Sequence, residues 1–440
     1  MTESRYTSWG RCIDAGQQIL LQQWRHLPIA AADACGSILP FGNGRSYGDS
    51  CLNDGGTLLD ARPLRRFITF DAEAGVLCCE SGVLIDEILA LIVPLGWFLP
   101  VVPGTRYVTV GGAIANDVHG KNHHRQGTFG NHVRAFELLR SDGNRQVLRA
   151  GDDNPLFAAT IGGLGLTGLV TWAEIQLRRI DGPRIDQEVI RFGNLDAFFD
   201  LSAESDSDHE YTVAWIDCLA PREQLGRGVF MRGNHAATPA VNTDSPSPAR
   251  LGMPLTPPFS LVNRASIKAF NRLYLARHRR RWQRRSVDFA SFFFPLDGVR
   301  AWNRIYGPKG LLQYQCVIPT AAGRHAIRSL LERIADAGTG SFLAVLKVFG
   351  ERPSPGLLSF PQPGVTLALD FPNQGPRVHA LFDTLDSIVR EAGGRLYPAK
   401  DAHMSAADFK RAYPAWRELE ALRDPLFDSS FWRRVEGHAT

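Results

Sequence analysis

The sequence has little with which to be cross-linked, exported or anchored. Its seven cysteines, at positions 12, 35, 51, 78, 79, 218 and 316, form an odd set with no C-x-x-C spacing. That excludes a disulfide framework and a paired-cysteine zinc site, and it points to a reducing compartment. The opening MTESRYTSWGR lacks an apolar core, so no signal peptide is expected. The most apolar stretch, residues 83–102, is interrupted by Asp86, Glu87, Pro94 and Pro100, which excludes a membrane-spanning helix. Charge of one sign is not in excess either: a net +4 over 440 residues gives no general field for a polyanion. No nucleic-acid recognition motif is present, so nucleic acid is not an expected partner.

What is there begins with glycine. Residues 101–131 read VVPGTRYVTVGGAIANDVHGKNHHRQGTFGN, with glycine at 104, 111, 112, 120, 127 and 130. Without a Cβ, such a backbone can approach a flat or phosphorylated ligand closely. A second run, FGNGRSYGDS at 41–50, follows the apolar Ile38-Leu39-Pro40 and can turn successive N–H groups into a nest for a pyrophosphate. Together the two runs suggest a cofactor bed. Gly163-Leu-Gly165-Leu-Thr-Gly168 matches the dinucleotide fingerprint G-x-G-x-x-G, but a helical pattern precedes it and a strand pattern follows. That order is inverted relative to the strand–turn–helix the fingerprint needs.

Length allows two to three domains, and 44% hydrophobic with 21% charged residues is ordinary for a globular chain. Strands are expected at 56–60 and 68–71, and a hairpin at 133–139 and 146–149 around Ser141-Asp-Gly143. Ile85, Ile88, Leu89, Ile92 and Val93 fall at helical spacing and end at Pro94 and Gly96. Ile180-Asp-Gly-Pro183 reads as a domain boundary. Beyond it, strands at 211–218, 312–318, 343–349 and 365–371 with helices at 322–337 and 377–392 indicate an antiparallel sheet covered on one face. Residues 234–262, rich in Pro, Ser, Thr, Ala and Asn, read as a mobile loop. From Arg264 to Arg285 arginine and lysine recur without a single acid, with Ile267, Phe270 and Tyr274 along one side. Such a segment either lies on an anionic membrane surface or is a solvated helix paired with acids elsewhere.

Individual side chains leave alternatives open. His119, His123, His124 and His132 invite a metal, but Gly120 and Gly127 deny them a common helix, and no metal site is expected. Asp117 and His119, in a glycine turn, are as well suited to capping local backbone donors. Gln313 and Gln315 share one face of a strand and suit a polyhydroxylated sugar. Lys347 interrupts an apolar strand, where an unpaired ammonium is costly; a nearby phosphate or cofactor edge, or a core partner, would account for it.

FGNGRSYGDS at 41–50, PGTRYVTVGGAIANDVHGKNHHRQGTFGNHV at 103–133, LLQYQCVIP at 311–319 and GGRLYPAKDAHMS at 393–405 together resemble the decaprenylphosphoryl-β-D-ribose oxidase family. That family is the flavoprotein half of an epimerase making lipid-linked arabinofuranose, within the vanillyl-alcohol-oxidase-like (PCMH-type) FAD superfamily. The resemblance covers nearly the whole chain in register. It implies an α/β plus α+β fold of two domains. Residues 1–180 and 395–440 would bind FAD, and 181–394 would form an antiparallel-sheet substrate domain.

The resemblance also implies roles. Covalent members carry G-x-G-H-S where this chain has Gly42-Asn43-Gly44-Arg45-Ser46, so FAD is expected to be non-covalent. Phe41, Gly42, Asn43, Gly44, Arg45, Ser46, Tyr47, Gly48, Asp49 and Ser50 would surround the pyrophosphate, with Tyr47 near the isoalloxazine. Gly104, Thr105, Thr109, Val110, Gly111, Gly112, Asn116, Asp117 and His119 would hold the rest, with Gly168, Val170 and Tyr397 beside the flavin. Lys400, with Tyr47, takes the catalytic position: burial lowers an amine pKa, and alcohol oxidation needs the hydroxyl proton accepted or the alkoxide stabilised. Gln313, Gln315, Lys347, Trp215 and His119 would line the substrate pocket.

Three pocket positions depart from mycobacterial-type members. Phe293 replaces a tyrosine, while Thr366 and Ala368 replace an asparagine and a cysteine. The implied activity is oxidation of a polyprenyl-phosphate-linked ribofuranose to a keto sugar, completed by a short-chain-type reductase, in the cytoplasm or peripherally at the inner membrane. A soluble sugar-alcohol or aldonolactone oxidase, and a flavin-binding subunit impaired in catalysis, are the alternatives those departures leave.

Overall fold

In strand Leu311–Pro319, alternate side chains serve two different masters, and the architecture follows from that division. Tyr314, Cys316 and Ile318 enter a core with Ile327, Leu330, Leu331 and Ile334 of helix Thr320–Ala337 and with Val378, Phe382, Leu385 and Val389 of helix Pro376–Glu391. The helical residues recur at three- and four-residue spacing, so each helix presents one apolar stripe to the sheet. Gln313 and Gln315 point the other way and line a cavity. The computed structural model describes residues 6–237 and 251–437.

Strand Leu311–Pro319 belongs to an eight-stranded sheet in which every pairing is antiparallel. In spatial order its strands are Trp282–Asp288, Arg184–Phe192, Gly228–His235, Tyr211–Ile216, Ala344–Phe349, Gly364–Pro372, Leu311–Pro319 and Arg395–Leu396. Helices cover one face and the cavity opens on the other. A five-stranded antiparallel sheet is built from Phe67–Asp71, Val76–Glu80, Leu169–Gln176, Val133–Leu139 and Arg145–Arg149. A three-stranded parallel sheet, Gln18–Leu21, Thr57–Asp60 and Ile38–Phe41, carries the first glycine run at its end.

The chain returns to this first region after Arg395–Leu396. Ile38 N–H donates to Leu426 O at 2.8 Å, and Asp428 N–H donates to Ile38 O at 2.9 Å. Helix Ser430–Glu436 then sends Arg434 to Asp49 at 2.7 Å and to Asp401 at 2.9 Å. Asp401 is 2% exposed, and its Oδ1 also accepts from the His403 and Met404 N–H groups.

Helix Ile85–Ile92 runs into a 3₁₀ turn, Val93–Leu95, and stops at Gly96 with φ 78°. Helix Pro155–Thr160 precedes the G-x-G-x-x-G stretch and strand Leu169–Gln176 follows it, the inverted order. Gly168 adopts φ +143°, and a Cβ there would lie 2.8 Å from Leu139 O, so packing alone requires glycine.

The acid-free segment from Arg264 to Arg285 is not one helix. Helix Arg264–Arg277 ends at His278, and after three successive arginines the chain becomes the edge strand Trp282–Asp288. Pairing with Arg184–Phe192 satisfies the backbone groups on the inner side of that strand, which a frayed polycationic helix end would leave to solvent. Much of the loop expected at 234–262, residues 238–250, lies outside the described residues. Among the described residues no helix is long and apolar enough to cross a membrane.

Arg434 bridges two buried carboxylates, Asp49 and Asp401, the second of which also faces His403. Arg434→Ala should cost about 3 kcal/mol of stability, measured as a lowered urea midpoint. An unchanged midpoint would show that this contact does not fix the returning segment.

Candidate active site

The covered sheet, the two glycine runs and the returning C-terminal segment enclose one continuous cavity of ≈ 1540 Å³. That exceeds the several hundred Å³ of an ordinary small-molecule site and suits a dinucleotide together with a substrate. The first glycine run, ending strand Ile38–Phe41, contributes Phe41, Gly42, Asn43, Gly44, Arg45, Ser46, Tyr47 and Ser50 to its wall. Gly104, Thr105, Thr109, Gly111, Gly112, Asn116 and His119 come from the second run, with Gly168 and Val170 from the strand behind. Thr109 caps helix Val110–Ala115 by accepting from Gly112 N–H. A Cβ on Gly42 would come within 2.5 Å of that same hydroxyl.

Several wall groups await a ligand. Ser50 Oγ, Ser81 Oγ and Arg45 Nε are buried without a protein partner, and a Cβ on Gly104 would meet nothing within 4 Å. Arg45, standing where a covalent histidine would be, lays its guanidinium 4.2 Å from the Trp9 ring centroid and 5.5 Å from that of Tyr107. Free polar groups, an open glycine edge and cationic walls fit FAD, and Arg45 provides no nucleophile for a flavin bond.

Four residues of the expected cofactor set lie off the cavity wall. A Cβ on Gly48 would strike Asp401 O at 1.6 Å, so this glycine serves close backbone packing. Asp49 is committed to Arg434. Val110 is wholly buried in the core under the second run. Asp117, with φ 38°, accepts from Gly130 N–H at 2.8 Å and from the Ser359 hydroxyl at 2.6 Å, anchoring the glycine turn.

At the opposite wall, Lys400 sits with its Nζ 3.8 Å from the Tyr47 ring centroid. Its backbone is fixed: Tyr47 N–H donates to Ala399 O at 2.9 Å, and Lys400 N–H donates to Tyr397 O at 2.9 Å. Tyr397 donates its hydroxyl to Asn116 O at 3.0 Å, tying this segment to the second glycine run. Burial pulls the Lys400 amine down from the ordinary lysine range, opposed by Asp370 and assisted by Lys347 and Arg45. Burial likewise pushes the Asp370 carboxyl up, opposed by the Gln313 hydrogen bond and by Lys400. One Asp370 oxygen accepts from Gln313 and the other has no protein partner. Tyr47 is held neutral by the same burial.

The sheet face completes the wall. Gln315, Ala368, Val345 and Trp215 occupy one register row across four strands. Thr366 accepts from Gln315 Nε2 at 3.4 Å. His119 Nε2 faces the same amide nitrogen at 3.2 Å, which makes Nε2 the acceptor and places the ring proton on the unpartnered Nδ1. Burial, then Lys347, hold His119 well below the ordinary imidazole range, so it is neutral. Lys347 itself is pulled down to about 8 by burial. Phe293 packs 4.7 Å from Tyr211 and 5.4 Å from Phe98, adding a ring edge without a hydroxyl.

Asp370 and Lys121 are wall residues with chemistry that the sequence did not mark out. Asp370 lies two positions from Ala368 and opposite Gln313, a placement that strand register makes visible. Lys121 donates to Phe292 O, lies 4.6 Å from the Phe292 ring centroid, and is pulled down to about 7 by burial, then by Lys347. The remaining histidines are dispersed: His123 packs 4.4 Å from Phe349, His124 contacts His209 O and His132 contacts Gln126 O.

The family described as FAD binding domain matches residues 29–149, which include both glycine runs. Decaprenylphosphoryl-β-D-ribose oxidase of Mycolicibacterium smegmatis is 35% identical over 99% of this chain and 98% of its own length. An uncharacterised protein of Streptomyces coelicolor is 37% identical over 80% of this chain and all of its own length. The human Δ(24)-sterol reductase is 29% identical over 26% of this chain and 22% of its own, a likeness limited to one part. With a cavity that fits the flavin and a relative aligned end to end, the chain belongs to the decaprenylphosphoryl-β-D-ribose oxidase family of FAD-dependent oxidoreductases.

Proposed function

We propose that this protein oxidises the 2-hydroxyl of a ribofuranose carried on a polyprenyl phosphate to a ketone, with FAD held non-covalently. The observation that carries the reading is the half-buried Lys400 amine, set over Tyr47 on the cavity wall at the junction of the two glycine runs and the sheet. The relative whose name gives decaprenylphosphoryl-β-D-ribose as its substrate supports the sugar and its carrier. Bound FAD supplies the acceptor for the hydrogen that leaves carbon 2 with its electron pair.

The chain's own groups handle the remaining proton and the positioning. Neutral Lys400 accepts the hydroxyl proton, and the neighbouring Asp370 carboxylate stabilises the ammonium so formed. Gln313 and Gln315 present amides to the sugar hydroxyls, and the His119 Nδ1–H offers one more donor. Phe293 and Ala368 supply the apolar wall that keeps water from the reacting carbon. Thr366 and Ala368 change the pocket's polarity relative to mycobacterial-type members while leaving Lys400 in place.

A reductase of the short-chain type would reduce the ketone and complete epimerisation to the arabinofuranose. Membrane-surface association is supported by exposed Leu251, Leu255, Phe259, Leu273 and Trp282, which fall within or just before the acid-free, arginine-rich stretch 264–285 of the sequence.

Anaerobic addition of farnesylphosphoryl-β-D-ribofuranose should bleach the oxidised flavin band, whereas free pentoses should not. Bleaching by free sugars alone would favour a soluble sugar oxidase. Because Lys400 acts as a base and its amine is pulled down, kcat/KM should rise with pH through an apparent pKa below the ordinary lysine range. Lys400→Met should retain FAD, lose that limb, and fall about 10³-fold in rate; an intact limb would remove Lys400 from the proton transfer. Acid precipitation should leave all the yellow colour in the supernatant, and a coloured pellet would contradict non-covalent binding at Arg45.

A further inference from the structure

The cavity continues past the sugar-sized region along an aromatic wall that the redox chemistry does not use. From Gln315 the register row passes through Ala368 and Val345 to Trp215, three strand spacings or roughly 14 Å. There helix Arg264–Arg277 lies on the cavity face of the sheet. Its Tyr274 ring sits 4.4 Å from Trp215 and its Phe270 ring 5.0 Å from Phe342, with Phe270 and Tyr274 stacked at 5.8 Å. All four rings line the cavity. Leu275 of the same helix is buried with Val189, Val229 and Trp215, and Tyr274 packs against them, which seats the helix on the sheet. Trp215 and Tyr274 thus belong to that contact and also border the cavity.

Beyond the rings the character of the wall changes. Arg277 and Arg285 border the cavity there, and Arg285 Nε donates to Gln187 Oε1 at 3.2 Å. The outward face of the same sheet is different, since Glu188 and Glu204 both pair with Arg232. Leu273, one helical turn before Arg277, is 72% exposed. The path thus leads from buried sugar-sized space, through an apolar aromatic passage, to a cationic rim with Leu273 on its outer side.

We infer that the passage walled by Trp215, Phe270, Tyr274 and Phe342 binds the first isoprene units of the lipid carrier. The rim then releases the rest of the chain toward an anionic surface. The inference rests on the lipid-linked substrate proposed above. It assigns Phe270 and Tyr274 a specificity role in substrate binding and none in the oxidation.

The test uses the FAD-loaded enzyme and ribofuranosyl phosphodiesters bearing methyl, geranyl or farnesyl groups, each below its micelle concentration. Burial of each added unit should lower KM about tenfold with little change in kcat. Tyr274→Ser and Phe270→Ser should flatten that dependence while leaving the methyl ester's kcat/KM within twofold of wild type. Retained chain-length dependence in both variants, or an equal loss on the methyl ester, would overturn the passage. A second arm is independent of turnover: calorimetric binding of farnesyl methyl phosphate, compared with dimethyl phosphate. Tight binding of the farnesyl diester that Tyr274→Ser or Phe270→Ser weakens supports the passage even if no riboside is oxidised, which would then count against the proposed reaction alone. Equal binding of the two diesters would sink the passage whatever the reaction proves to be. Phe270, 37% exposed, keeps the test open should Tyr274→Ser fail to fold.

Discussion

Taking an amine out of water penalises its charged form, and the site depends on that cost being borne by Lys400. Its segment is held from both directions. The Tyr47 N–H binds Ala399 O, while Arg434 neutralises the adjacent Asp401. The segment has no freedom to swing the amine toward solvent and recover its hydration. Desolvation therefore becomes a lowered proton affinity, and Asp370 is the carboxylate that answers it.

The same logic runs through the rest of the cavity. Lys121, Lys347 and Arg45 are all partly desolvated, and each raises the potential felt by its neighbours. A cavity of that sign favours a ligand with a pyrophosphate and a substrate with a phosphate. Polar atoms of Ser50 and Ser81 remain unanswered by protein on the same walls. The apolar side chains between these groups keep the effective dielectric low, which strengthens every one of these interactions.

Much of this was legible before any coordinates, wherever local pattern determines structure. Alternation in strand Leu311–Pro319 placed Gln313 and Gln315 on one face, and the inverted order around Gly163 to Gly168 ruled out a nucleotide fingerprint. Residues whose role depends on distant partners were harder. Gly48 and Asp49 sit within the glycine run, yet they face Asp401 and Arg434 from the far end of the chain, which no local pattern reveals. Asp117 turns inward to two serines more than two hundred positions away. Asp370 needed the strand register. The acid-free stretch after Asn263 misled because composition cannot say where a helix yields to an edge strand.

The return of the C-terminal segment to strand Ile38–Phe41 also orders events in time. Backbone bonds from Ile38 to Leu426 and Asp428, and the ion pair from Arg434 to Asp49, join an early stretch of the chain to a late one. During synthesis the N-terminal glycine turn must wait for the final helix to leave the ribosome before its surroundings are complete. Cofactor capture thereby follows the emergence of helix Ser430–Glu436, and a chain terminated before it would lack a competent flavin bed.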